Sequence, residues 1–179
     1  MFSFQSIHRQ LFVFLSFISC SEQEVRKPIS SSKTHTLLST VKALKEINKI
    51  EEAKIENYIK KDSLHDYIRS SNGFWYQYIN KIELDTITPK KGDLVKITYD
   101  FLDLNNLTIY TKEENSIREY RVDEEDFIPA LQIGIKLMKV GETIKFIIPS
   151  YNAYGLLGDE RGIGINQSII SRVTLINIK

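Results

Sequence analysis

One cysteine, three histidines and four prolines are all that this chain of 179 residues contains of those types. The lone Cys20 excludes an internal disulfide framework and a thiolate zinc site. His8, His35 and His65 lack the spacing of metal ligands, so neither a metal nor a cofactor is implied. A net charge of +1 provides no strong field to attract nucleic acid or an anionic membrane. No apolar run reaches the roughly 20 residues that a bilayer span requires. Near the C-terminus, where PSYNAYGLLGDERGIGIN runs from Pro149 to Asn166, no nucleophile stands beside a base. What is abundant is apolar and aromatic. Hydrophobic residues make up 42% of the chain, with nine Tyr and nine Phe, which suits one globular domain with appendages.

Residues 1–19 differ from the rest. MFSFQSIHRQ has only His8 and Arg9 as possible positive groups beyond the amino terminus, and LFVFLSFIS follows without a charge. A positive start, an apolar stretch of roughly 7–15 residues and small residues before a cut make a secretory signal. Cys20 after Ser19 resembles the lipobox of bacterial lipoproteins, whose cysteine is acylated and becomes the new N-terminus. Phe17 stands where leucine is usual there. The alternative is an ordinary buried N-terminal helix. Residues 20–35 are polar and serine-rich, contain Pro28, and read as a flexible tether. Glu22 and Glu24 resemble the surface-export signals of Bacteroidetes lipoproteins.

A helical segment spans residues 36–69. From Thr40 onward Val41, Leu44, Ile47, Ile50, Ile55, Tyr58 and Ile59 recur at helical spacing, with neither glycine nor proline among them. Ser39-Thr40 can cap its start, Lys61-Asp62-Ser63 breaks it, and a short second helix is expected over Leu64–Ile68. The apolar stripe packs on its own domain or serves as an arm for a homodimer or another partner.

From Ser70 the signals become β. Phe74 to Ile79 is an aromatic run suited to a strand. Leu94, Val95, Ile97, Tyr99 and Phe101 form another, Asn105-Asn106 a hairpin tip, and Thr108 to Tyr110 the return. Phe127 to Val140 is helical, with Pro129 in its first turn and Gly141 as its C-cap. Ile144–Ile148 and Ile169–Ile178 are the last strands. Strands around one short helix make an α+β domain of roughly 100 residues.

The ordered set GDLVKITYDF, TIYT, FIPALQIGIKLMKVGETIKFIIP, AYGLLG and IGIN resembles the FKBP-type peptidyl-prolyl isomerases over residues 70–179. With the lipobox and helical lead, the whole chain is similar to the gliding-motility-associated FKBP-type isomerase lipoproteins of Bacteroidetes. The resemblance implies an antiparallel sheet wrapped on one short helix. It also implies a lipid-anchored isomerase of the cell envelope, facing the periplasm or in the outer membrane. Its partners would be proline-containing clients outside the cytoplasm. The chemistry needs no nucleophile. Rotation about X-Pro breaks amide resonance against a barrier of about 18–20 kcal/mol, and a protein lowers it by binding the twisted imide better than the planar one.

Carried onto this sequence, the resemblance makes Tyr99, Ile128 and Tyr154 the catalytic set, with the Ile128 N–H and the Tyr154 hydroxyl as donors to substrate carbonyls. Ile109, Tyr110, Phe127, Leu131 and Ile163 would line the pocket. Ile128 and Leu131 can equally be helix core, and Tyr99 and Tyr154 structural tyrosines. Five departures stand out, one of them Ile163-Gly164-Ile165-Asn166 for the family's IPPN, which loses both prolines and frees the loop. Leu131 replaces the family's floor tryptophan, and Ile109-Tyr110 replaces a phenylalanine-aspartate pair, removing a polarising carboxylate. Ser171 replaces a phenylalanine of the last strand, and Arg118 occupies a usually aromatic position. With fewer aromatic walls, the alternative function is a binding or chaperone module with little isomerase activity.

Overall fold

The computed structural model describes residues 32–62, 65–83 and 87–179, the side chains of 32–36 excepted. The expected signal segment, Cys20 and most of the expected tether lie outside the described residues. Residues 39–179 form one compact unit.

A stretch free of glycine and proline, Ser32–Lys61, forms one 30-residue helix, α1. It begins at Ser32 rather than Thr40, because nothing in the intervening residues stops a helix from propagating backward. Lys60 and Lys61 in its last turn suit the negative end of the helix dipole. The second helix expected over Leu64–Ile68 is replaced at its end by a strand, β1 (Ile68–Arg69). Gly73, at φ +83°, reverses the chain so that Ile68 and Arg69 pair with Tyr76 and Trp75 of β2 (Trp75–Asn80).

The remaining elements are β3 (Leu94–Tyr99), β4 (Phe101–Leu102), β5 (Thr108–Tyr110), α2 (Lys112–Asn115), β6 (Arg118–Arg121), α3 (Pro129–Ile135), β7 (Thr143–Ile148), a 3-10 turn (Ser150–Asn152) and β8 (Ile169–Ile178). The sheet order is β1-β2-β7-β8-β3-β6, with every pair antiparallel and with β4 joined to β8 and β5. This is the expected α+β architecture. Period-two alternation decides which face each side chain takes. Val95, Ile97, Ile144, Phe146, Val173 and Leu175 turn inward, where Leu131, Ile135 and Met138 cover them. Gly134 makes that cover possible, since a Cβ there would stand 2.4 Å from a ring carbon of Phe146. The helix stops at Ile135, short of the expected Val140. Gly141, at φ +87°, therefore caps nothing; its N–H donates to the Leu175 carbonyl as the chain enters β7.

The outward face carries α1. Ile55 is buried there against Trp75, Leu102, Ile147 and Ile170, with Tyr58 and Ile59 beside it. Burying one such isoleucine contributes about 1.5–3 kcal/mol. Glu51, one turn earlier and only 4% exposed, accepts hydrogen bonds from the Ser150 N–H (3.1 Å), the Ser150 hydroxyl (2.7 Å) and the Ser168 hydroxyl (2.7 Å). The C-terminal half of the expected stripe thus docks on its own domain, whereas Leu37, Leu38, Val41 and Ile50 remain exposed.

Candidate functional site

Tyr99 ends β3 and Phe101 opens β4, and their two-residue spacing puts both on the inner face. Asp100 between them is buried the other way, accepting from the Arg172 N–H (2.9 Å) and Nε (2.8 Å). The rings then form a chain. Tyr99 lies 5.2 Å from Phe101 and 5.5 Å, edge-on, from Phe127. Phe101 meets Tyr154 edge-on at 6.1 Å and Tyr110 at 6.4 Å. Tyr120, fully buried on β6, supports Phe127 at 5.4 Å.

Leu131, Ile128 and Ile163 are buried in the same cluster, and Ile109, Tyr110, Phe127 and Tyr154 pack on it half-buried. Every residue singled out from the sequence for the catalytic set or the pocket belongs to this cluster or packs on it, and the cluster is also the main core of the domain. Phe101 belongs with them and was not singled out; its position two residues beyond Tyr99 was the available signal.

Among the donors at this cluster that pair with no described residue are the Ile128 N–H and the Tyr99 and Tyr154 hydroxyls. Ile128 occupies the N-cap of α3, held extended (φ −54°, ψ 125°) by Pro129 after it. Its carbonyl accepts from the Leu131 and Gln132 N–H groups, both at 2.9 Å. Its own N–H donates to no group among the described residues. The Tyr154 hydroxyl likewise has no hydrogen-bond partner among them. Burial, reinforced by the nearby Tyr99, Asp159 and Tyr110, pushes its pKa up to about 12 against the opposing charge of Arg118. It remains a proton donor throughout the physiological range.

The loop after Tyr154 is built on Asp159. One carboxylate oxygen, Oδ1, accepts from the N–H groups of Arg161 (3.0 Å), Gly162 (3.0 Å) and Ile163 (2.8 Å). The other accepts the Tyr110 hydroxyl at 2.5 Å, and that hydroxyl accepts the Gly162 N–H at 2.7 Å. Burial would raise the Asp159 pKa, but the Tyr110 hydroxyl and the three N–H groups outweigh it and hold it below the ordinary carboxylate range. Gly162 is required, since a Cβ would stand 2.9 Å from both Ile109 and the Tyr110 hydroxyl. The aspartate expected to be missing after Ile109 is absent, and the Tyr110 in its place reaches across to the Asp159 carboxylate. Ser171 lies fully buried on β8, paired with Phe146 in register, and its hydroxyl has no partner among the described residues.

A cluster of apolar and aromatic side chains, with the Ile128 N–H and the Tyr99 and Tyr154 hydroxyls unpaired among the described residues, suits holding a chain segment rather than attacking it. The chain belongs to the FKBP-type peptidyl-prolyl cis-trans isomerase family, whose model matches residues 85–176. Among characterised proteins it is similar to the FKBP-type peptidyl-prolyl cis-trans isomerase FkpA of three Escherichia coli strains. Identity is 28% over 165 residues, covering 89% of this chain and 58% of the relatives' length. The crystal structure of FkpA from Escherichia coli matches in fold, with a TM-score of 0.61 at 24% identity over 99% of this chain and 74% of that one.

Proposed function

We propose that this chain is a peptidyl-prolyl cis-trans isomerase that lowers the X-Pro barrier by desolvating and holding the twisted imide. The observation that carries this reading is a pair of unpaired donors, the Ile128 N–H and the Tyr154 hydroxyl, beside a cluster of aromatic and aliphatic side chains. An X-Pro segment laid against the partly exposed rings of Phe127, Tyr110 and Tyr154 loses the water that stabilises its planar, charge-separated amide. The two donors orient the carbonyls that flank the twisting bond. A thousand-fold acceleration requires about 4 kcal/mol, within reach of desolvation and two hydrogen bonds. Protease-coupled isomerisation of a prolyl tetrapeptide by the purified chain tests the reading; a rate equal to the uncatalysed one refutes it. The unpartnered Ser171 hydroxyl favours a second reading, a binding or chaperone module, because it replaces apolar wall with a polar group.

The division into a lipoprotein signal (1–19), a tether (20–35), a helical segment (36–69) and an isomerase domain (70–179) belongs to the same proposal, with the helix taken from Ser32. Acylation of Cys20 would anchor the chain in the cell envelope, where exported polypeptides are its clients. The charge-free stretch before Ser19-Cys20 supports this. No helix among the described residues is long and apolar enough to cross a membrane. Mass spectrometry of the membrane fraction tests the anchor, since an unmodified residue 1 there excludes it. Likeness to the gliding-motility lipoproteins rests on the same N-terminal pattern. The exposed Leu37, Leu38, Val41 and Ile50 support pairing of α1 with a second copy, which light scattering reads directly.

A further inference from the structure

Two guanidinium groups lie against rings of the candidate site without an ion-paired carboxylate among the described residues, although Arg161 also acts electrostatically on Glu114. Arg118, half-buried on β6, stands 4.2 Å from the centroid of Phe127 and commits one N–H to the Asp126 carbonyl at 3.1 Å. Arg161, exposed on the loop, stands 5.2 Å from the centroid of Tyr110. Neither forms an ion pair among the described residues. The sheet's other face is arranged differently. A cavity of about 430 Å³ there is lined by Lys145 and Arg172, which are paired with Asp62 and Asp100.

The carboxylates nearest the rim are largely committed. Asp159 holds Tyr110 and the loop amides, Glu114 caps α2 through the Thr111 N–H, and Asp123 binds Lys136. Glu125 and Asp126, exposed on the turn before Phe127, and Glu160, exposed beside Arg161, are the groups that would favour a substrate of the opposite sign. They reach neither guanidinium as ion pairs, whereas Arg118 touches the ring adjoining the free Ile128 N–H. A guanidinium stacked on a ring keeps its N–H edge available for a carboxylate, and partial loss of water strengthens that attraction.

From this arrangement we propose that the pocket prefers X-Pro segments carrying aspartate or glutamate beside the proline, with Arg118 as the specificity-determining group and Arg161 as a second contact. This rests on the isomerase reading, and the test separates the two. Prolyl peptides bearing Glu, Ala or Lys immediately before or after proline are assayed for kcat/KM, and fluorescently labelled versions are assayed for Kd. The Glu peptide should exceed its Lys counterpart about three- to tenfold, the range for a half-exposed charge-assisted contact, and the ratio should shrink in high salt. Arg118→Gln should bring the ratio close to one, with a further decrease on adding Arg161→Gln, while Arg118→Lys should retain part of it. Because the ratio is internal to each variant, a general loss of folding or turnover cancels. Equal values for Glu and Lys peptides, or a preference for Lys, overturn the proposal while leaving isomerase activity on the Ala peptide intact. Graded binding without turnover of any peptide instead refutes the isomerase reading and upholds the charge preference.

Discussion

Replacing Tyr110 by phenylalanine removes one oxygen and leaves the ring packed against Phe101 and Gly162. That oxygen donates to Asp159 at 2.5 Å and accepts from the Gly162 N–H at 2.7 Å. Gly162 keeps a second acceptor, Asp159 Oδ1 at 3.0 Å, so the main loss is the bond to the carboxylate. Hydrogen bonds to charged groups contribute about 1.5–3 kcal/mol, and partial exposure puts this one near the bottom of that range. A cost of about 1–2 kcal/mol corresponds to a Tm lower by roughly 2–8 °C in a protein of this size. The effect should be local as well as global. Hydrogen exchange at the Arg161, Gly162 and Ile163 amides should quicken, since all three donate to Asp159. Prolyl turnover should fall with it, because Tyr154 and Ile163 flank that loop. Unchanged exchange at these amides, with unchanged turnover, would refute the idea that Tyr110 and Asp159 together build the loop.

Acid provides the second arm of the same experiment. The Asp159 pKa is depressed in the folded chain, so its contribution is present above the ordinary value of 3.8 and is lost as pH falls through the folded value. Loop protection in the wild type should therefore persist to below about pH 4. In Tyr110→Phe the depression is smaller, and protection should be lost at a higher pH.

Tyr154→Phe should leave Tm nearly unchanged, since its hydroxyl has no partner among the described residues, and should lower kcat/KM by about 0.5–1.5 kcal/mol in barrier terms. A falling Tm with constant turnover per folded molecule would make this tyrosine structural. Tyr99→Ala should cost about 3 kcal/mol or more in urea unfolding and abolish most turnover, because it opens the wall between Phe101 and Phe127. Glu51→Ala should leave the Ser150 N–H and the Ser150 and Ser168 hydroxyls without their acceptor, at about 1–3 kcal/mol for each group that water does not reach. Calorimetry showing no destabilisation would remove Glu51 from the account of how α1 docks.

What could be read from the sequence was local. Alternation placed β3, β7 and β8, and Asn106 at φ 63° makes the hairpin tip that Asn105-Asn106 suggested. Pro129 marked the start of α3 because its ring and missing N–H suit a first turn. The one-turn helix α2 was missed although its Thr-x-x-Glu capping box, Thr111 with Glu114, stands in the sequence. β1 could not be found locally, since two residues carry no period and only pairing with β2 makes them a strand. The site divides in the same way. Its apolar walls could be inferred by resemblance, whereas the Tyr110–Asp159 contact joins residues 49 apart with no local signature.

The least legible contact ties the helix to the site. Glu51 lies outside the matched residues 85–176, on α1, yet its carboxylate holds Ser150 and Ser168. Those serines bracket the stretch that contains Tyr154, Asp159 and Ile163. Within it the Ser150 carbonyl accepts from the Ala153 and Gly155 N–H groups at 2.8 Å, and the Gly155 carbonyl accepts from Asn166 at 2.9 Å. A closed loop has lost most of its conformational entropy before any ligand arrives, so its tyrosine need not be ordered at the moment of binding. The apolar contact at Ile55 explains why α1 stays on the sheet, but greasy packing alone would tolerate sliding along the helix axis. A buried carboxylate with three donors fixes the register, because a shift of one turn would strand all three. The N-terminal helix is therefore part of what positions Tyr154, although none of its described side chains belongs to the cluster around that tyrosine.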